Sequence, residues 1–473
     1  MSGKLSGITL STLAHAVGGQ LIGADGDIEA VSTDSRHIES GEVYFCLSGE
    51  NFDGHDYAAA AVSAGATAVV CERELNSGLA EVVVPDSRRA YGELAKLWRA
   101  GLPVKLIGVT GSNGKTTVKQ LLQQICAAAG SVHATRANDN NEIGVPKTVL
   151  GINASHQYAV VEMGANQLGE IEWLGSITRP DVSIITNVSA SHLEGFGDIN
   201  SVYREKSAIY TNLASNGVAI VNRDDHFAED WLQLNRGRSV ITFGAGDNAD
   251  VYAKSVASGR VRLHSQLQGR EKTVETNCQL VGAHNLMNIA AAAAAAMASG
   301  IDIDTVAKGV ANAEPVKGRL NFHQLQNNIA VIDDTYNANP ASARAAIDVL
   351  ADTAGEHWLV LGDLKELGDE AVDHHSSLGQ YALQNGVNRV FATGELSRHC
   401  VESFGDKGQW FSEKEQLIAA LRAELDRLPE GSAASILVKG SRSMAMDKVV
   451  AALQSSRVVA DVVDNNDVVG EMS

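Results

Sequence analysis

Apolar residues in this chain fall into short continuous runs separated by segments of helical period, the pattern of strands buried on both faces and covered by helices. In the first hundred residues the runs 43–47 and 66–71 predict strands, with the alanine-rich 57–65 as a helix between them. After Pro103 the pattern sharpens: 104–110 predicts a strand, a Gly-rich turn follows, and 118–129 has helical period and stops at Gly130. Further strands are predicted at 158–162, 182–186 and 218–221, and this alternation implies a mostly parallel sheet. Residues 250–280 alternate polar and apolar positions more strictly, which predicts antiparallel strands, and the alanine-rich 286–299 predicts a helix closed by Gly300. From about Gly318 a second series begins, with strands predicted at 329–333, 358–361, 389–392 and 435–438.

The expected fold class is therefore α/β in three domains: a small α/β unit over 1–102, a central phosphate-loop domain with a parallel sheet over 103–317, and a Rossmann-like domain over 318–456. Residues 457–473 are acidic and lack periodicity, and are expected to form a loose tail.

Composition narrows the class. A chain of 473 residues is too long for one ordinary core, and with 44% hydrophobic and 20% charged residues it is globular. Its net charge of −19 repels a nucleic-acid backbone or an anionic bilayer, so neither is an expected partner. Five scattered cysteines with no C-x-x-C spacing argue against a disulfide framework or a zinc site. The longest apolar run, 289–298, is about half of the ~20 residues a membrane span needs. A soluble, cytoplasmic monomer is expected.

The strongest chemical signal is Thr110, Gly111, Ser112, Asn113, Gly114, Lys115, Thr116 and Thr117, set between a predicted strand and a predicted helix. Glycines let successive N–H groups face an anion, and the helix N-terminus adds partial positive charge. Lys115 supplies a mobile point charge for the outer phosphates of a nucleoside triphosphate, and the Thr116 hydroxyl suits Mg2+. The general phosphate-loop pattern has a glycine where this chain has Val109. The bland alternative is a Gly-rich turn with a solvated lysine.

TGSNGKTT resembles the shortened phosphate loop of the Mur ligases and folylpolyglutamate synthases, which make amide bonds at the expense of ATP. Other motifs occur in that family's order: the stretch from Ser32 to Val70 resembles a UDP-sugar-binding domain, and DDTYNANPAS, LGDLKELG and VKGSRSMAMD resemble the branch that joins D-alanyl-D-alanine to a UDP-N-acetylmuramoyl-tripeptide. No DYAHTP-like or DNPR segment is present, as the branch adding diaminopimelate or lysine would have.

Glu162 ends an apolar run, and a carboxylate there can reach a phosphate-bound Mg2+; a surface turn acid is the plainer reading. The resemblance implies a magnesium-contacting histidine at His192 and a carbamylated lysine at Lys206. It puts Asn288 near the nucleotide, although an asparagine opening a helix is ordinarily a cap. It implies that Arg319 and Asp334 contact ATP from another domain, Arg319 on phosphate and Asp334 on ribose, against an interdomain ion pair as the alternative. It assigns Ser35 and Arg36 to the UDP moiety and Asn141 to the peptide arm. Lys439, Ser441 and Arg442 end a strand and open a helix, a place suited to the carboxylate of the dipeptide, or to a solvated cap. Asn187 is expected to shape the loop that holds His192. No role follows for Lys147, Tyr336, Asn337 or Asn339.

The expected reaction is phosphoryl transfer to a carboxylate followed by attack of an amine, in a site completed by domain closure. A folate polyglutamylation enzyme, a phosphate-loop NTPase switch and a non-catalytic scaffold are the alternatives, beside another Mur-type ligase acting on a different amino acid. The first disagrees with the UDP-type N-terminal stretch, and the second leaves the motifs outside the loop unexplained.

Overall fold

The structure is a computed structural model and describes residues 5–49, 52–191, 193–267, 269–325 and 328–456. The expected tail and His192 lie outside the described residues. Three sheets carry the fold, and all three are mixed but mostly parallel, so the chain is α/β as its pattern predicts.

The first sheet runs Gln20–Ile22, Ala80–Val83, Ala68–Cys71, Glu42–Phe45, Ala30–Ser32, with only the edge strand Gln20–Ile22 antiparallel. The helix Ser87–Ala100 follows, N-capped by Asp86, and buries Ala90, Tyr91, Leu94, Ala95 and Trp98 on one face. That face belongs to a core shared with the central sheet, including Leu106, Val161 and Ile171. Trp98 Nε1 donates to the Ile152 carbonyl at 2.7 Å, and Arg99 Nη2 meets Asp181 at 3.1 Å. The first unit is thus fastened to the second by a common core rather than by a linker.

Among the described residues the central sheet has nine strands. Its parallel part runs Val251–Ala257, Ser239–Gly244, Val218–Asn222, Val182–Ile185, Lys105–Thr110, Tyr158–Glu162, Val132–Ala134, and antiparallel Arg260–Leu267 and Arg270–Asn277 extend it. The helix Ala283–Ala298 lies in the core on one face, with Ala290 to Ala296 all buried. Alanine permits close approach there, as does Gly309, where an added Cβ would stand 2.3 Å from the Ile125 backbone. The third sheet runs Asn321–Gln324, Ile329–Asp334, Ala434–Lys439, Glu356–Gly362, Arg389–Thr393, Gly408–Phe411, antiparallel only at its first strand. It is covered by apolar clusters on both faces. Among the described residues no helix is long and apolar enough to cross a membrane.

Candidate active site

The strand Lys105–Thr110 sits between Val182–Ile185 and Tyr158–Glu162, so the loop after it emerges beside the C-terminal ends of both neighbours. Residues 111–114 turn there and the helix Lys115–Ala129 begins. Two glycines are required for different reasons. Gly111 approaches Thr186 so closely that an added Cβ would lie 1.9 Å from its hydroxyl, and Gly114 has φ +81° with a Cβ position 2.3 Å from Asn288 Oδ1.

The following strand's loop clamps this turn. Asn187 Oδ1 accepts the Asn113 N–H at 3.1 Å, its Nδ2 donates to the Asn113 carbonyl at 3.1 Å, and Thr186 Oγ1 donates to the same carbonyl at 2.5 Å. The turn is therefore pre-shaped, and the first N–H groups of a long helix point out of it. Lys115 Nζ folds back onto the carbonyls of Gly111 (2.6 Å) and Ser112 (3.3 Å). Burial holds this ammonium below the usual lysine range, with Glu162 opposing the shift and Arg319 adding to it. Gly114→Ala is expected to combine a strained φ with overpacking on Asn288, costing about 2 kcal/mol or more in stability. A thermal melt and an ADP titration read it, with weakened binding as the expected companion.

Glu162 ends its strand inside the cleft. Its Oε1 accepts from Thr116 Oγ1 at 3.3 Å and Asn140 Nδ2 at 2.9 Å, while Oε2 is buried without a hydrogen-bond partner. An orphaned carboxylate oxygen beside a hydroxyl, both hard donors, fits Mg2+. Among the described residues no group of three or more His, Cys, Asp or Glu side chains converges as a metal site. An ion here would take its remaining ligands from phosphate and water.

Lys206 lies on the helix Ile199–Thr211 and is 1% exposed. Burial, and after it the charge of Lys115, push its ammonium down to about 7 against the opposing charge of Glu205. Glu205 itself is committed elsewhere, accepting the N–H groups of Gly169 and Ile171 at 2.6 Å each.

The C-terminal domain closes the other side of a cleft of about 1480 Å³. Arg319 and Asp334 both line it, yet they do not pair with each other. Asp334 instead forms a buried ion pair with Lys439, its register partner on the adjacent parallel strand, and Lys439 also donates to the Asn337 carbonyl at 3.0 Å. The Lys439 ammonium is thus held within its own domain. Ser441 accepts the Lys365 N–H at 2.8 Å, and Arg442 lines the cleft without an ion pair among the described residues. Asn339 joins the domains directly: its Oδ1 caps the helix Pro340–Ala351 and its Nδ2 donates to Asn113 Oδ1 at 2.7 Å.

Other expected site residues lie differently. Ser112 through Thr117 and Asn288 line the cleft, whereas Thr110 and Gly111 lie behind it, with Thr110 Oγ1 spent on the Met163 carbonyl at 2.8 Å. Asn141 lines the cleft and accepts the Gly144 N–H at 2.9 Å, and Lys147 pairs with Asp139 at 3.0 Å on the surface. Ser35 and Arg36 stand in a short 3-10 turn away from the cleft, where Arg36 is 79% exposed and forks onto Asp34. The sequence reading gives Thr186, Asn140 and Asn339 no role; Asn140 and Asn339 stand in short asparagine-rich stretches, and nothing local marks Thr186.

Comparison with known proteins agrees with this geometry. Residues 109–296 match the Mur ligase middle domain, 318–442 the Mur ligase glutamate ligase domain, and 27–107 the Mur ligase family catalytic domain. The UDP-N-acetylmuramoyl-tripeptide--D-alanyl-D-alanine ligase of Escherichia coli (strain K12) is 39% identical over 95% of this chain and 99% of that protein. A crystal structure of MurF from Acinetobacter baumannii superposes with a TM-score of 0.88 at 34% identity, covering 96% of this chain and 100% of that one. MurF from Thermotoga maritima in complex with ADP superposes with a TM-score of 0.79 at 27% identity over 90% and 97% of the two chains. With a clamped phosphate loop, a carboxylate at the neighbouring strand end and a third domain facing both, this chain belongs to the Mur ligase family.

Proposed function

We propose that the protein joins D-alanyl-D-alanine to a UDP-N-acetylmuramoyl-tripeptide, consuming ATP and releasing ADP and phosphate. The observation that carries this is the cleft itself: the phosphate loop with Lys115 on one wall, and Arg319 and Arg442 on the other. The names of its relatives, and the ADP complex of one of them, support the same reading. Two of the substrates, ATP and the UDP-linked tripeptide, are nucleotides, and all five cysteines are buried free thiols, in keeping with a cytoplasmic protein.

The chemistry answers one difficulty. A carboxylate is a poor acyl donor because its leaving group would be oxide. Attack of a carboxylate oxygen on the γ-phosphorus, with ADP departing, gives an acyl phosphate. The dipeptide's amine then attacks the acyl carbon, and phosphate leaves with the former carboxylate oxygen while the amine gives up a proton. Lys115 and Arg319 spread the charge on the transferring phosphoryl group, and Asn288 backs the loop that holds it. Glu162 and Thr116 would hold Mg2+, which supplies Lewis-acid stabilisation of the phosphates when bound. Asp334, steadied by Lys439, faces the ribose, and Ser441 and Arg442 take the dipeptide carboxylate. Ser35 and Arg36 bind the UDP moiety, and Asn141 shapes the loop beside the peptide arm. The domain contact through Asn339 and Asn113 shields the acyl phosphate from water.

Lys206 has a second role in this reading. An amine held near pH 7 is largely uncharged at pH 8, so its nitrogen can attack CO2 and release a proton, leaving a carbamate. That anion would replace a cation which Lys115 repels. Loading therefore falls as pH drops through about 7. Lys206→Ala is expected to lose most activity and regain part of it with a short-chain carboxylic acid; full turnover in the unassisted variant would remove the idea.

Phosphate release from ATP tests the function as a whole. It should require both the UDP-muramoyl-tripeptide and D-alanyl-D-alanine, whereas release that ignores the dipeptide favours a nucleotide switch.

A further inference from the structure

Tyr336 stands at the start of the segment to which the motifs assign no role, and its surroundings are unusual. The Arg319 guanidinium lies over its ring at 4.5 Å from the centroid, and that of Arg442 at 5.9 Å. All three residues line the same cleft. Neither arginine makes an ion pair among the described residues, and Arg319 Nε is buried without a hydrogen-bond partner.

A guanidinium resting on a ring gives up one face and none of its N–H edges. A carboxylate in the same place would occupy the donors and cancel the charge. The ring therefore orients two cations while leaving both available to anions. Its own position is set by backbone: the Tyr336 N–H donates to the Gly318 carbonyl at 3.0 Å, tying it to the turn that carries Arg319. Gly318 has φ +71°, and an added Cβ would crowd the Tyr336 nitrogen at 3.1 Å.

We propose that Tyr336 is a positioning residue for both ends of the reaction, aiming Arg319 at the phosphates of ATP and Arg442 at the carboxylate of the incoming dipeptide. This rests on the ligase reading above, and extends it to a residue that touches neither substrate. Because the ring lies nearer Arg319, its loss acts more on the nucleotide side.

Steady-state kinetics of Tyr336→Leu and Tyr336→Phe test the proposal. Tyr336→Leu is expected to raise the KM for ATP about tenfold and that for D-alanyl-D-alanine about threefold. Tyr336→Phe, which keeps the ring, should stay within about twofold of the wild type on both. In an Arg442→Gln background Tyr336→Leu should lose its effect on the dipeptide KM and keep that on ATP. Unchanged KM values in Tyr336→Leu overturn the proposal, as does a Phe variant impaired as much as the Leu one. Tyr336→Gln, also lacking an aromatic face, takes the place of leucine if that variant does not fold. If the wild-type protein forms no amide at all, the ligase reading fails; calorimetry with ADP then still decides the Arg319 half, with weaker binding expected in Tyr336→Leu and not in Tyr336→Phe.

Discussion

Lys115→Ala is expected to lower kcat/KM for amide formation by about 10³-fold or more, because it removes the cation nearest the transferring phosphoryl group. The fold should survive. Among the described residues Lys115 Nζ hydrogen-bonds only to the carbonyls of its own loop, and the turn is held by Thr186 and Asn187. The melting temperature should therefore change by no more than a few degrees, on the order expected for a partly exposed polar contact. Release of the buried ammonium even relieves its desolvation. Parallel measurement of melting and turnover separates a lost charge from a lost fold, and a variant that turns over at the wild-type rate would remove Lys115 from the mechanism.

Glu162→Gln is expected to be nearly as damaging to activity, with kcat falling by about 10²- to 10³-fold. The amide keeps the size of the carboxyl and can still accept from Thr116 and Asn140. What it removes is the anionic charge and the unpartnered Oε2 acceptor. The variant should need more Mg2+ for half-maximal rate, and chelation should abolish wild-type turnover and be reversed by added Mg2+. A surface acid would leave the Mg2+ requirement of the variant unchanged.

Much of this was legible in the sequence. The strand Tyr158–Glu162 is buried along almost its whole length and so reads as an unbroken apolar run, and the poly-alanine helix announces itself by composition. Short strands such as Val132–Ala134 and Gln20–Ile22 offer too few positions to show a period. Ser239–Gly244, only partly buried over its first four residues, lacks a clean run. The partner of Asp334 is hidden for another reason. It pairs with Lys439 through the register of two parallel strands 105 residues apart, which no local pattern encodes. The bond from Asn339 to Asn113 spans 226 residues in the same way. Local chemistry announced the phosphate loop; the groups that hold it closed are set by tertiary contacts.

The most direct measurement follows an oxygen atom. If the carboxylate of the UDP-muramoyl-tripeptide is labelled with ¹⁸O and the products are analysed by mass spectrometry, one labelled oxygen should appear in the released phosphate for each amide formed. Phosphate free of label, alongside normal amide formation, would contradict an acyl phosphate formed at Lys115 and with it the central account of this cleft.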